Sequence, residues 1–235
     1  MAVEHPAVTE PSPEAMERVA VRAMELVADG MRIGLGTGRA AEAFVRRLGE
    51  SARQGLRVTG VTTSERSEQL ARSLGLALST LAEIAELDLA FDGADEVTPT
   101  LELTKGRGGA LVRERIVAHA ARRFVVLVTP DKLVDRLGTR MPVPVVCVPF
   151  AAPLVSRELR ALGGAPTERR APNGAPYRTD DGGLVLDTRF APLADAAALE
   201  HALLAIPGVI DTGLFLGMAE RVLVGWPDRV EQLGP

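Results

Sequence analysis

Aromatic side chains make up only 3% of the 235 residues, with one Trp and one Tyr among them. A core with so few rings has to be assembled from Ala, Val, Leu and Ile, and an apolar content of 46% suffices for that at this length. Cysteine is almost missing too. The single thiol, Cys147, excludes an internal disulfide, and a reducing compartment, the cytoplasm, is the expected home. Its place in the apolar run 144–148 marks it as strand filler rather than a nucleophile. No apolar run is long enough to cross a bilayer and the N-terminus has no signal-peptide core, so no membrane role is expected. The arginines are scattered and the net charge is -4, which argues against nonspecific nucleic-acid binding.

What the chain does have is repeated strand–helix alternation. Residues 1–11 hold prolines and polar residues without periodicity, and loose order is expected there. Ser12-Pro13 reads as an N-cap and first helical position, with Val19, Ala20, Ala23, Met24 and Val27 on the apolar side and Gly30 as the stop. A short strand at 33–35 runs into Gly36-Thr37-Gly38 and a helix from Ala40. Strand, glycine turn and helix together present free N–H groups and a helix dipole to an anion, usually phosphate. The match of Gly36-x-Gly38-x-x-Ala41 to the relaxed dinucleotide fingerprint is weak, because the next strand, 57–62, ends in Thr63-Ser64-Glu65 with no clear ribose-binding acid. A helix at 65–74, a brief strand at 76–78, a short helical piece, and strands at 87–91 and 124–128 continue the pattern of a doubly wound, Rossmann-like α/β domain.

From residue 142 the texture changes. Strands near 144–148, 166–171 and 183–188, helices near 153–162 and 193–205, and a last strand over 208–215 read as a smaller α+β domain, an antiparallel sheet plus two helices. A strand at 221–225 returns to the first sheet, followed by a short terminal helix. The expected division is 1–141 with 217–235 as the Rossmann-like catalytic domain, and 142–216 as the small domain inserted before the last strand.

The chemistry concentrates in residues 87–118. A buried strand releases Asp92, Asp95 and Glu96; an extended piece leads to Lys105, then Gly106, Arg107, Gly108 and Gly109; a helix from about Ala110 carries Glu114 one turn in. Singly, each of these residues reads as a turn or a solvated corner. Together, acids, an amine and a pliable backbone at the ends of strands of an open α/β sheet supply what proton transfer beside a carbonyl requires. Lys132, after the strand at 124–128, falls on the same rim.

These residues carry a resemblance. From about Glu14 to Asp228 the chain is similar to type A ribose-5-phosphate isomerases. The motifs are Gly34-Leu35-Gly36-Thr37-Gly38, Thr63-Ser64, Asp92-Gly93-Ala94-Asp95-Glu96-Val97, and Lys105-Gly106-x-Gly108-Gly109-Ala110-Leu111-x-Arg113-Glu114. Asp131-Lys132, Thr179-Asp180-Asp181-Gly182-Gly183 and Ile206-Pro207-Gly208-Val209 extend them. The resemblance implies interconversion of D-ribose 5-phosphate and D-ribulose 5-phosphate through an enediolate, with no metal or organic cofactor. It implies Glu114 as general base, Lys105 as oxyanion stabiliser, and Asp92 and Asp95 as sugar-hydroxyl ligands that assist ring opening. It further implies substrate contacts from Thr37, Gly38, Arg39, Ala40, Gly93, Ala94, Gly106, Arg107, Gly108 and Lys132. Members of the family are commonly dimers or tetramers, so a homodimer or homotetramer is expected, with a sugar phosphate as small-molecule partner.

Two departures qualify it. Where the family loop runs Thr-Gly-Ser-Thr-Ala, this chain has Thr37-Gly38-Arg39-Ala40-Ala41; Arg39 either replaces two lost hydroxyl donors by a charge-assisted fork, the favoured reading, or spoils the loop by its bulk. Where the family has Lys-Gly-Gly-Gly, Arg107 puts a side chain on the loop. The competing readings are a sugar-phosphate sensor without turnover and an isomerase for another phosphorylated aldose.

Overall fold

The computed structural model describes residues 12–235, so the expectation for residues 1–11 lies outside the described part. In chain order the elements begin with α1 (Pro13–Met24), β1 (Arg32–Leu35), α2 (Arg39–Arg53), β2 (Thr59–Thr62), α3 (Glu65–Ser73) and β3 (Ala77–Leu78). They continue with β4 (Leu89–Asp92), β5 (Glu96–Val97), β6 (Leu103–Thr104), α4 (Leu111–Ala120), β7 (Phe124–Val128) and β8 (Val143–Cys147). Then come α5 (Ala152–Ala161), β9 (Ala165–Glu168), β10 (Leu184–Arg189) and α6 (Ala196–Leu204). The chain closes with β11 (Val209–Thr212), β12 (Leu214–Phe215), β13 (Arg221–Gly225) and β14 (Val230–Leu233).

Two compact units result. Among the described residues the first runs to Ala94 and adds Ile116–Leu133 and Met218–Pro235; the second holds Asp95–Arg115 and Val134–Gly217. The line falls differently from the expected 142–216 because β5 and β6 pair with β12 in a small sheet of their own, which draws residues 95–115 into the second unit.

The first unit is built on a seven-stranded sheet in the order β14-β13-β7-β4-β1-β2-β3, parallel except for β14. The chain goes outward from β1 through β2 to β3, then returns to β4 on the other side of β1. The switch point therefore lies between β1 and β4, and open α/β sheets bind ligands beyond the carboxyl ends of such strands. Register pairs Ile33 with Leu89 and Leu35 with Phe91, so the loops after Leu35 and Asp92 leave the sheet side by side. Ser12 caps α1 as expected, its side chain accepting the Ala15 N–H at 3.1 Å. Val19, Ile33, Leu35, Phe44, Leu48, Phe91, Val125 and Leu127 fill the core, and the Phe44 and Phe91 rings stand 4.2 Å apart. Aliphatic packing dominates, as the scarcity of rings requires.

The second unit carries the antiparallel sheet β11-β8-β10-β9, with Leu184 opposite Cys147 and Leu186 opposite Val145, and the three-stranded sheet β12-β6-β5. Val143, Val145, Cys147, Val155, Leu159, Leu186 and Leu203 form its core, so Cys147 is strand filler. The molecule is thus mixed α/β with a mainly parallel core sheet and a separate antiparallel unit.

Three local expectations need correction. The terminal helix is a strand, β14, since Val230–Leu233 completes the sheet edge against Val222–Gly225. The strand expected over 208–215 is two, because Gly213 breaks it and sends β11 and β12 into different sheets. The helical piece before the acidic stretch is a single turn in which Ile84 N–H bonds the Thr80 carbonyl at 2.9 Å.

Candidate active site

At the switch point of the first unit, β1 is followed by Gly36, which packs so closely on Asp92 that a Cβ there would overlap the carboxylate. Asp92, only 2% exposed, accepts the Thr37 N–H at 3.0 Å and the Gly93 N–H at 2.7 Å on the same oxygen, Oδ1. The Thr37 hydroxyl lies 2.8 Å from the hydroxyls of Thr63 and Ser64 and 3.0 Å from that of Ser67. Ser67 in turn donates to the Gly36 carbonyl at 2.7 Å. The hydroxyl cluster thus fixes the loop that Asp92 grips from its other side. Gly38, with φ of 107°, starts α2, and its preceding loop leaves the first-turn N–H groups of Arg39, Ala40 and Ala41 without a capping side chain. A fifteen-residue helix puts positive potential there, and Arg39, exposed at the first helical position, adds a formal charge. After β7, Lys132 pairs with Asp131 at 3.1 Å, and Asp131 also takes the Thr129 hydroxyl. Gly93 and Ala94 are half-buried on the chain between Asp92 and the second unit.

The second unit holds the other candidates. Lys105 and Glu114 are 2% and 4% exposed, and Nζ of the lysine lies 3.1 Å from a carboxylate oxygen of the glutamate. Lys105 is set by β6 and by its backbone N–H, which donates to Gly213 at 2.9 Å; Glu114 is set by the first turn of α4. Between them the chain must reverse within a few residues, which Gly106 and Gly109 allow with φ of 103° and 83°. Asp95 braces this loop by accepting the Arg107 N–H at 2.9 Å. Arg107 and Gly108 are exposed. A cavity of about 220 Å³ is lined by Asp95, Arg107, Met141, Pro144, Arg169 and Asp187.

The third acid of the stretch has another task. Glu96, fully buried, accepts N–H groups of Gly138 at 2.6 Å, Arg140 at 2.6 Å and Met141 at 2.9 Å, and so ties down the segment ahead of β8.

Within the first unit the structure brings together Thr37, Asp92 and Gly93; within the second it brings together Asp95, Lys105, Gly106, Arg107 and Glu114. Residues outside the sequence candidates also shape this region. Arg169 donates to the carbonyls of Gly106 at 2.9 Å and Arg107 at 3.1 Å while its other nitrogens bind Asp187. Tyr177 donates to the Gly108 carbonyl at 3.3 Å, and burial pushes its hydroxyl pKa up. Arg115 binds the strand beside Lys105. Only Arg115, next to Glu114, carries a positional hint in the sequence; Arg169 and Tyr177 are more than sixty residues from the loop they hold.

Known proteins share this chain's sequence and fold. The family model described as Ribose 5-phosphate isomerase A (phosphoriboisomerase A) matches residues 59–229. A ribose-5-phosphate isomerase A of Roseiflexus sp. (strain RS-1) is 50% identical over 219 residues, 92% of this chain and 94% of that protein. The solved ribose 5-phosphate isomerase A of Methanocaldococcus jannaschii superposes with a TM-score of 0.91 at 41% identity, covering 94% of this chain and 99% of that one. A D-ribose-5-phosphate isomerase solved in complex with phospho-erythronic acid gives 0.92 at 37% identity, covering 94% and 98%. With the family model matched over residues 59–229, half of the sequence shared with a relative over 92% of the chain, and the fold itself superposing, the chain belongs to the ribose 5-phosphate isomerase A family.

Proposed function

We propose that the protein interconverts D-ribose 5-phosphate and D-ribulose 5-phosphate by proton transfer through an enediolate. The observation that carries this is the buried pair of Lys105 and Glu114 at 3.1 Å, a carboxylate base and a fixed cation within reach of one small ligand. Glu114 removes the proton from C2 of the open-chain aldose. The C2–H electrons form the C1–C2 double bond, and the carbonyl electrons move to O1. The ammonium of Lys105 meets that negative charge in a site from which water is largely excluded, where one such donor is worth roughly 3 to 4 kcal/mol of the barrier. Return of the proton from Glu114 to C1, with a proton passing from O2 to O1, completes the ketose and leaves the enzyme unchanged.

Asp92 and Asp95 serve the sugar hydroxyls and ring opening, and Gly93, Ala94, Gly106, Arg107 and Gly108 supply the backbone around them. Thr37, Gly38, Arg39 and Ala40 hold the phosphate, supported by the uncapped start of α2, and Lys132 assists. Arg39 brings a charge where the family loop brings hydroxyls. Phospho-erythronic acid, bound by the related isomerase, joins a phosphate to a planar carboxylate that resembles an enediolate, and this chain is expected to bind it at the same groups. No helix among the described residues is long and apolar enough to cross a membrane. The protein is read as a cytoplasmic homo-oligomer that does not take nucleic acid. Supporting the oligomer, the second unit exposes Phe150, Leu204 and Ile210, and a groove between α5 and α6 is lined by Leu154, Leu162, Ala202 and Ile206.

The test is turnover of ribose 5-phosphate in deuterated water, following ketose formation, deuterium at C1 of the ketose and deuterium at C2 of the recovered aldose. Glu114→Gln should lower kcat by at least about 1000-fold while phospho-erythronic acid still raises the unfolding temperature. Ligand stabilisation of the unaltered protein without exchange or ketose would replace the isomerase by a sensor.

A further inference from the structure

Arg115 follows Glu114 directly in α4, and its guanidinium is committed to the strand that leads into β12. Nε meets the Asp211 carboxylate at 2.8 Å, Nη2 donates to the carbonyls of Thr212 at 2.9 Å and Leu214 at 2.6 Å, and Nη1 lies 3.3 Å from Glu200. Its guanidinium carbon stands 4.3 Å from the centre of the Phe215 ring, and the same ring has Lys105 Nζ at 5.5 Å. Between the two carbonyls that Arg115 holds is Gly213, whose own carbonyl accepts the Lys105 N–H at 2.9 Å. A Cβ on Gly213 would overlap the Lys105 carbonyl, so the two backbones come this close only because residue 213 has no side chain.

The contacts form a closed circuit. From Glu114 it passes along the backbone to Arg115, through the guanidinium to Thr212–Leu214, through Gly213 to Lys105, and back across 3.1 Å from ammonium to carboxylate. We propose that Arg115 is a positioning residue that fixes the separation and bearing of the Lys105–Glu114 pair through the Thr212–Phe215 segment. The proposal rests on Glu114 as base and Lys105 as its cationic partner.

A planar guanidinium held at several points resists rotation in a way that a single ammonium does not. Rotation is what matters here, because a helix turning by roughly 10° about its axis carries a side-chain end about 1 Å sideways. A displacement of about 1 Å at reacting groups costs on the order of 100-fold in rate.

The experiment compares Arg115→Met, Arg115→Lys and Asp211→Asn in the full-length protein, with kcat, KM and C2 exchange expressed per folded molecule. Arg115→Met is expected to lower kcat by about 30- to 100-fold with KM within about twofold of the starting protein. Arg115→Lys, which keeps the charge and loses the fork, should recover part of that loss. If Arg115→Met does not fold, Asp211→Asn decides, with an expected fall in kcat of about 3- to 10-fold at unchanged KM. Starting-level kcat in a folded Arg115→Met, its sole change a lower unfolding temperature, overturns the proposal; so does starting-level kcat in Asp211→Asn where the first variant is unfolded. Glu114→Gln in the same assay separates the two layers. Full activity there removes the base itself, whereas its inactivity beside fully active Arg115 variants removes the positioning role alone.

Discussion

Two glutamates of the second unit, Glu96 and Glu114, come from the same acid-rich stretch and are buried to nearly the same extent, yet their surroundings are opposites. Around Glu96 the partners are three backbone N–H groups and the Thr104 hydroxyl, four donors for the roughly four lone-pair directions of a carboxylate. Those donors belong to a segment whose fold depends on them, so the side chain is spent on structure. Around Glu114 stands the ammonium of Lys105, a charge on a flexible stem, at the mouth of a glycine loop. Burial alone does not mark a catalytic acid. What the carboxylate faces decides whether a proton can come and go.

The contrast is sharpest when one partner is removed from each region. Lys105→Met keeps the length of the stem and deletes the charge. We expect kcat per folded molecule to fall by about 100- to 1000-fold, and the unfolding midpoint to drop because Glu114 is left buried beside an apolar neighbour. A kcat within about tenfold of the starting protein would take the ammonium out of the reaction. Glu96→Gln should do the reverse. An amide nitrogen must point at an N–H whichever way it flips, and the loss of charge-assisted bonds costs about 3 kcal/mol. That is a fall of roughly 6 to 12 °C in unfolding temperature for a chain of this size, with kcat per folded molecule within about twofold of the start. A large drop in kcat for Glu96→Gln at an unchanged melting temperature would erase the distinction between the two sites.

The same pair shows what was legible in the sequence. Strand–helix alternation, the switch-point loops and the run from Asp92 to Glu114 were readable because they are local: periodicity, glycines and chain proximity announce them. The second sheet's strands were readable from their apolar runs, to within a residue or two at most ends. Glu96 differed from its neighbour Asp95 only through Gly138, Arg140 and Met141, some forty residues away, and no local pattern announces such a partner. β14 was missed for a related reason. Val230–Leu233 is short and mixed in polarity, and it is a strand because β13 offers it an edge. The split of 208–215 at Gly213 depends likewise on Lys105 and Pro144 pressing on a residue with no side chain.

The smallest effect separates the two units by the sign of a pH dependence. In the first unit Glu220 is held below its ordinary pKa of 4.5, chiefly by the Arg123 side chain. In the second, burial raises Asp211 above its ordinary 3.8 although Arg115 pulls the other way. A carboxylate with a depressed folded-state pKa contributes stability that is present above its unfolded value and disappears as the pH falls through the folded value. One with a raised folded-state pKa does the opposite, contributing fully below its unfolded value and losing that contribution as the pH rises through the folded value. Urea midpoints of Glu220→Gln and Asp211→Asn, each subtracted from those of the starting protein, should therefore change in opposite directions. The Glu220 difference should shrink as the pH falls below the ordinary value of 4.5, and the Asp211 difference should shrink as the pH rises above the ordinary value of 3.8. If both differences shrank toward acid, Asp211 would behave as a plain ion-pair partner of Arg115, and burial would not be the dominant influence on its charge.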